Sequence, residues 1–307
     1  MLEKWKANYL FHKLLKRPDI DKAYAMVGPE DSWYDTITTV HHALAQMRML
    51  PHETLEITSH DGLKLKAIYY PCDSDKTMIW VHGYTSHAER ESAFPGLFYR
   101  SLGCNVLIPY LRAHGPSEGE LISFGALEHL DIMRWVDRIN ERIPEGQIVL
   151  HGLSMGGGIV LDLAGKEMKN VKCIVSDAPS ISIPGFFRNV SSEFFKTGAD
   201  KIAAWALDRF RKEFHADASD FERLETVKHG RYPILAAAGG NERMEDVLTA
   251  IQRNNPMETE MLILPGCDHG NGMYKQTEMY QSAIKAFLGR HLTDTQSRSP
   301  DSAIPVR

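Results

Sequence analysis

Ser154 is the residue of this sequence best placed for covalent chemistry. It stands in Gly152-Leu153-Ser154-Met155-Gly156, which the run Ile148-Val149-Leu150-His151 precedes, and Gly157, Gly158, Ile159, Val160 and Leu161 follow it. A strand-like run, a turn and then a buried helical run predict a strand-turn-helix elbow with a hydroxyl at its tip. Gly152 and Gly156 lack Cβ, so strand and helix can close on each other on both sides of the serine, whose own backbone the sharp turn strains. A hydroxyl displayed in this way is a nucleophile for acyl transfer once a base can take its proton. Phosphate binding by the same glycines is a poorer reading, because no Gly-Lys-Ser/Thr follows them.

In their order along the chain these residues resemble the α/β-hydrolase superfamily, and within it a bacterial branch of serine aminopeptidase-like and acyl-CoA thioesterase-like proteins. The resemblance implies an α/β fold, a mostly parallel sheet with helices on both faces and a helical lid. It also implies a base, an acid and an oxyanion loop. His269, in Gly266-Cys267-Asp268-His269-Gly270 after the strand-like residues 260–265, falls at the base position. Glu242, in Gly239-Gly240-Asn241-Glu242 after residues 232–239, falls at the acid position, with Asp246 and Asp177 as rivals. The turn His82-Gly83-Tyr84-Thr85 falls at the oxyanion loop, with the amides of Tyr84 and Met155 as the implied donors. Leu111-Arg112-Ala113-His114-Gly115-Pro116-Ser117-Glu118-Gly119 resembles the superfamily's Asp-x-Arg-Gly-His-Gly-x-Ser-x-Gly loop. Tyr110 replaces its Asp and Ala113 a Gly, and His114 stands where the family keeps a structural histidine.

The elements that must position these groups are legible as alternating patterns. Residues 54–58 and 63–70, joined through Asp61-Gly62, read as a β-hairpin. The apolar runs at 77–81, 105–110, 148–151, 171–176 and 232–239 read as strands buried on both faces. Leu127, Leu130, Met133, Val136 and Ile139 recur at near-helical spacing, with Trp135 beside them as a core residue. Residues 180–230 interrupt the alternation and hold seven of the twelve phenylalanines. The resemblance makes this insertion a lid, with Phe186, Phe187, Phe194, Phe195, Trp205 and Phe210 as candidate substrate contacts; the competing reading is an insertion packed purely as structure.

Residues 1–50 lie outside the hydrolase pattern and read as an N-terminal helical extension, 51–292 as the α/β-hydrolase domain, and 293–307 as a disordered tail. Leu2, Trp5, Tyr9 and Leu14 among Lys4, Lys6, Lys13, Lys16 and Arg17 form a basic amphipathic helix, suited either to a membrane surface or to packing across the domain. The adjacent pair His41-His42 points two ways on a helix and lacks a third ligand, so it reads as solvated or core.

A 307-residue chain with 43% hydrophobic content can bury a large core, and a net charge of −5 without a basic, aromatic-rich stripe argues against nucleic acid. The four cysteines are far apart and read as reduced core thiols, and no run of 18 apolar residues occurs, so the expected location is cytoplasmic with no membrane span. The expected function is a serine hydrolase that cleaves carboxylic esters of small or medium acyl groups through an acyl-enzyme, with no metal and no organic cofactor. The alternatives are a peptidase or acyltransferase with the same triad, and a non-catalytic hydrolase-fold binding protein.

Overall fold

A computed structural model describes residues 2–20 and 33–293. Among these residues eight strands build one sheet: β1 (Glu53–Thr58), β2 (Lys64–Tyr70), β3 (Lys76–Val81), β4 (Asn105–Pro109), β5 (Gln147–Leu153), β6 (Val171–Asp177), β7 (Ile234–Gly239) and β8 (Thr259–Leu264). Their order across the sheet is β1-β2-β4-β3-β5-β6-β7-β8. The β1–β2 hairpin is antiparallel, with Glu56 opposite Lys66, and β2 runs antiparallel to β4; every other pairing is parallel. Every residue of β4, β5 and β7 is buried, which is why these strands read as apolar runs rather than alternating ones.

Helices cover both faces. On one lie α4 (Glu128–Arg142), which buries Trp135 and Ile139, and α5 (Met155–Asp162), which follows β5. On the other lie α2 (Ile37–Met49), α3 (Ala88–Ser101) and α10 (Thr277–His291), whose Met47, Tyr99, Tyr280 and Phe287 share a second core. Because β3 to β8 are parallel, the loops leaving β3, β5, β7 and β8 converge at one edge of the sheet, the usual place for a site in such folds.

Two departures noted in the 110–119 loop have physical answers. Ala113 adopts φ 59°, the conformation a glycine takes without cost, and is held there by donating its N–H to Glu118 O at 3.0 Å. Tyr110 donates its hydroxyl to Glu89 at 2.7 Å, and Arg112 forks between Asp131 (2.7 and 2.8 Å) and Asp61 (2.8 and 3.2 Å). Among the cysteines, Cys104, Cys173 and Cys267 are buried and Cys72 is half-buried, all as free thiols.

The insertion between β6 and β7 comprises α6 (Ile183–Phe194), α7 (Ala199–Phe214) and the short α8 (Arg223–Thr226). Helix α6 and α7 bury a seam of their own, where Phe187 meets Phe210 edge-on at 6.0 Å and Phe210 meets Phe214 at 4.7 Å. Helix α1 (Leu2–Leu15) lies on this insertion through Phe11, 6.4 Å from Phe214. Its buried face is Ala7, Leu10, Phe11, Leu14 and Leu15, which corrects the face read from sequence: Trp5 and Tyr9 point outward. Both sets have helical spacing, so periodicity alone does not choose between them. The end of α1 is stapled to the body, with Ile122 donating its N–H to Leu15 O at 2.6 Å and Arg17 bonding Ser117 O at 2.8 Å. The tail expected to be disordered lies outside the described residues, apart from Thr293. Among the described residues, no helix is long and apolar enough to cross a membrane.

One ion pair clamps the insertion to the elbow helix. The fully buried Arg223 of α8 donates to Asp162 at the end of α5 (2.9 and 3.1 Å), to Phe124 O (2.7 Å) and to Ser180 O (3.1 Å). Removing one partner of a buried pair leaves the other charge uncompensated, so Arg223→Ala should cost about 3–5 kcal/mol in urea unfolding. A loss below about 1 kcal/mol would show that the clamp is dispensable.

Candidate active site

The elbow forms as the glycines require. A Cβ on Gly152 would lie 2.1 Å from Gly156 O, and one on Gly156 would lie 1.9 Å from Val81 O, so strand β5, helix α5 and strand β3 touch backbone to backbone. Between them Ser154 sits at φ 59° and ψ −114°, capping α5. Its N–H is donated to Asp177 O at 2.8 Å, while its carbonyl accepts from Gly158 and Ser180 at 3.0 Å each.

His269, in the loop after β8, places Nε2 2.8 Å from Ser154 Oγ and Nδ1 2.5 Å from Glu242 Oε2. With the imidazole proton on Nδ1 and donated to Glu242, Nε2 accepts from the serine hydroxyl. Glu242 is held in turn by the Gly239 N–H at 2.8 Å. The loops after β7 and β8 are joined by Asn241, whose side chain donates to Asp268 at 2.9 Å and whose N–H goes to Cys267 O at 3.0 Å. The Glu242 bond is the main cause that raises the His269 pKa above its ordinary value, against a smaller opposing effect of burial.

The rival acids lie elsewhere. Asp246 is exposed on the first turn of α9 (Glu245–Asn254). Asp177 is buried and accepts the Tyr280 hydroxyl at 2.7 Å, and Tyr280 in turn lies 3.1 Å from His151 Nε2, with Tyr99 on His151 Nδ1 at 2.9 Å. Burial pushes Asp177 up to about 6, although the Tyr280 bond works the other way, and pushes His151 down to about 3.

Gly83 and Tyr84, after β3, reach the same place: a Cβ on Gly83 would be 3.5 Å from Ser154 Cβ. The first helical bond of α5 is from Gly158, so the Met155 amide at its start has no acceptor within the helix. Sequence reading missed Glu91. This buried carboxyl accepts from the Gly83 N–H at 3.1 Å and from Trp80 Nε1 at 2.9 Å, and thereby holds the β3–α3 turn beside Ser154. Burial pushes it up to about 7, against those hydrogen bonds. A glutamate in a helix's first turn reads as a solvated charge; only the tertiary fold brings it under Gly83. His114 is buried, bonded to Arg112 O at 2.9 Å and packed on His82.

Two cavities meet at Ser154 and His269. The larger, about 420 Å³, lies under the insertion and is lined by Phe124, Ile181, Phe186, Asn189 and Met244. The other, about 270 Å³, is lined by Trp33, Ile37, Val40 and Leu153, so residues set apart as an extension form one wall of the site. Of the aromatics proposed as substrate contacts, only Phe186 lines the cavity, 4.2 Å from Phe124. Phe187 and Phe210 are consumed in the α6–α7 seam, Phe194 is exposed, and Phe195 and Trp205 are half-buried beneath lysines. Neighbours on a helix point about 100° apart, so Phe186 and Phe187 cannot share a face.

Among the described residues, one group has ligand atoms close enough for a metal ion, Glu258, Glu260 and His291, at the opposite end of β8 from Ser154. Arg290 already bonds Glu260 there.

A sequence model described as the alpha/beta hydrolase fold matches residues 76–225. The chain is 32% identical over 142 residues to the Bacillus subtilis protein YqkD, a match covering 45% of this chain and 46% of that protein. It thus spans less than half the length of the curated relatives it matches. An esterase of Pyrococcus furiosus superposes with a TM-score of 0.64 at 23% identity, covering 92% of this chain and 98% of that one. The esterase Est1E of Butyrivibrio proteoclasticus, with ferulic acid bound, superposes with a TM-score of 0.61 at 19% identity over 77% of this chain and 98% of its own. At these identities the superpositions speak for the fold.

The His269–Glu242 contact has a consequence independent of any reaction. In a histidine NMR titration, His269 should protonate above the ordinary value of about 6.5. Glu242→Gln should move its midpoint down, since the anion that favours imidazolium is gone. An unmoved midpoint would show that the contact is absent in solution.

Proposed function

This chain is a member of the α/β-hydrolase superfamily, and on that premise we propose that it is a serine hydrolase cleaving carboxylic esters through an acyl-enzyme. The observation that carries this reading is the continuous chain from Ser154 Oγ to His269 Nε2 and from His269 Nδ1 to Glu242, at 2.8 and 2.5 Å, on a strained elbow open to two cavities. That structural neighbours at low identity are named esterases agrees with it.

In this mechanism His269 takes the Ser154 proton as Oγ attacks the ester carbonyl carbon, and the carbonyl oxygen becomes an oxyanion facing the amides of Tyr84 and Met155. Collapse breaks the bond to the alcohol oxygen, which leaves with the proton from His269. Water, deprotonated by His269, then attacks the acyl carbon, the bond to Ser154 Oγ breaks, and His269 returns the proton to Oγ as the acid leaves. Glu242 keeps the Nδ1 proton in place and stabilises the imidazolium, and Glu91 fixes the turn that carries the Tyr84 amide. The two halves of an ester diverge from its reacting carbon, and the two cavities that diverge from Ser154 fit an ester with an apolar group on each side.

A peptidase acting on free N-termini would need a carboxylate to receive the ammonium group. Glu193 and Asp200, the candidates in the insertion, are exposed and line neither cavity, and Glu91 is engaged by Gly83 and Trp80. The ester reading is therefore preferred.

Ser154→Ala should abolish p-nitrophenyl ester hydrolysis and labelling by a fluorophosphonate, with an unchanged melting temperature. Glu242→Gln should lower kcat by roughly 10³–10⁴, and Asp177→Asn far less. The larger loss at Asp177 would move the acid to β6.

The cavities yield a second expectation, read from a panel of esters in which acyl and alcohol lengths vary separately. Each CH₂ buried is worth about 0.8 kcal/mol, roughly fourfold in kcat/KM, until a cavity is full. Phe186→Ala and Trp33→Ala should each extend the optimum along one axis, and not the same one. Shifts along a common axis would mean that only one cavity receives substrate.

A further inference from the structure

The outward face of α1 takes no part in the site, yet it gathers exposed aromatic rings and lysines into one surface. Trp5 is 64% exposed, Tyr9 45% and Phe194 46%. They form one patch: Trp5 stacks on Tyr9 at 6.0 Å, and Lys13 Nζ lies over Tyr9 at 5.8 Å and over Phe194 at 4.4 Å. Alongside, Lys6 lies over Phe195 at 5.3 Å, and Lys4 and Lys201 lie over Trp205 at 5.7 and 5.1 Å. In a chain of net charge −5, residues 2–17 hold five lysines and arginines against one carboxylate, Glu3, which is paired with Lys201 at 3.0 Å. On the insertion, Glu193 and Asp200 adjoin Phe194 and Lys201 in sequence.

We propose that this face docks the protein, insertion first, on the surface of an anionic lipid bilayer. Rings with a polar edge and lysines with long apolar stems are the side chains that settle at a headgroup boundary, the rings among the acyl ends and the ammonium groups on the phosphates. Charge selects the occupant. A second copy meeting this face about a two-fold axis would bring two lysine-rich surfaces together, whereas a bilayer rich in phosphatidylglycerol offers the opposite sign. The same helix reaches the site: Tyr84 donates its hydroxyl to Leu14 O at 2.6 Å, and its ring lines both cavities. Docking thus sets the site beside a lipid surface, whether or not the ester reading holds.

The test is co-sedimentation of the full chain, carrying Ser154→Ala to stop any lipid hydrolysis, with vesicles of phosphatidylglycerol or of phosphatidylcholine alone. Binding to the anionic vesicles, weakened by salt and absent with phosphatidylcholine, is the expected result. Combining Lys4→Gln, Lys6→Gln and Lys13→Gln should lower the partition coefficient on the order of 100-fold. Trp5→Ala with Tyr9→Ala should lower it at least about tenfold. Both variants should stay folded with at most a small drop in urea midpoint, since Trp5 and Tyr9 are exposed and the ring contacts of the lysines lie at the surface. No binding to the anionic vesicles, equal binding to both lipids, or full binding by both variants would overturn the proposal. So would a dimer in sedimentation velocity that the same substitutions dissolve.

Discussion

Ser154 carries a side chain, yet its backbone is held at φ 59° and ψ −114°, a conformation that costs of order 1–3 kcal/mol and persists only where the surroundings over-determine it. They do so here by hydrogen bonds and by contact. The N–H of Ser154 is tied to the end of β6, its carbonyl to α5 and to Ser180, and the glycines beside it let β3 and β5 press against the start of α5. Three parallel strands and the first residues of the insertion are therefore fixed relative to one hydroxyl. The other two members of the proposed triad arrive on the loops after β7 and β8, the next strands across the sheet, which Asn241 joins to each other. Sheet register, more than any single contact, sets the distances among Ser154, His269 and Glu242.

Three carboxyls act on His269, and the protein treats them differently. Glu91 and Asp177 are buried with neutral donors, the Gly83 amide and Trp80 indole for one and the Tyr280 hydroxyl for the other, and burial lifts them to about 7 and about 6. Glu242 touches the imidazole directly. Near neutral pH the field on His269 is thus set first by the group in contact, while Glu91 is only partly ionised. Were Glu91 fully charged at pH 7, the imidazole would be more basic still, and in the proposed reaction a base that is already protonated cannot take the serine's proton.

Much of this was legible in the sequence, and the reason is locality. The elbow is written within residues 152–158, the β1–β2 hairpin within 53–70, and each strand as its own apolar run. Glu242 and His269 were picked out by the resemblance to the superfamily, and they can meet Ser154 because a parallel α/β sheet delivers the loops after β5, β7 and β8 to one edge. What was illegible depends on contacts between distant segments. Helix α1 has two apolar faces, and which one is buried is decided by Phe11 meeting Phe214, about two hundred residues away in the chain. Glu91 looks like an ordinary first-turn carboxylate until β3 brings Gly83 over it.

The aromatic insertion shows the same limit from another side. Two antiparallel helices laid over a cavity need apolar residues for each other, for the body beneath and for α1 above. A segment rich in phenylalanine therefore announces that something is covered without saying which ring covers what. The structure divides the work: Phe187 and Phe210 hold the helices together, Phe214 receives α1, and Phe186 alone of the six proposed contacts reaches the cavity, against Phe124 and Tyr84 from the body. Most of the insertion's aromatic surface is thus committed to its own rigidity. That rigidity lets Phe186, with Ile181 beside it and Met244 from the loop after β7, present a wall of fixed shape beside Ser154.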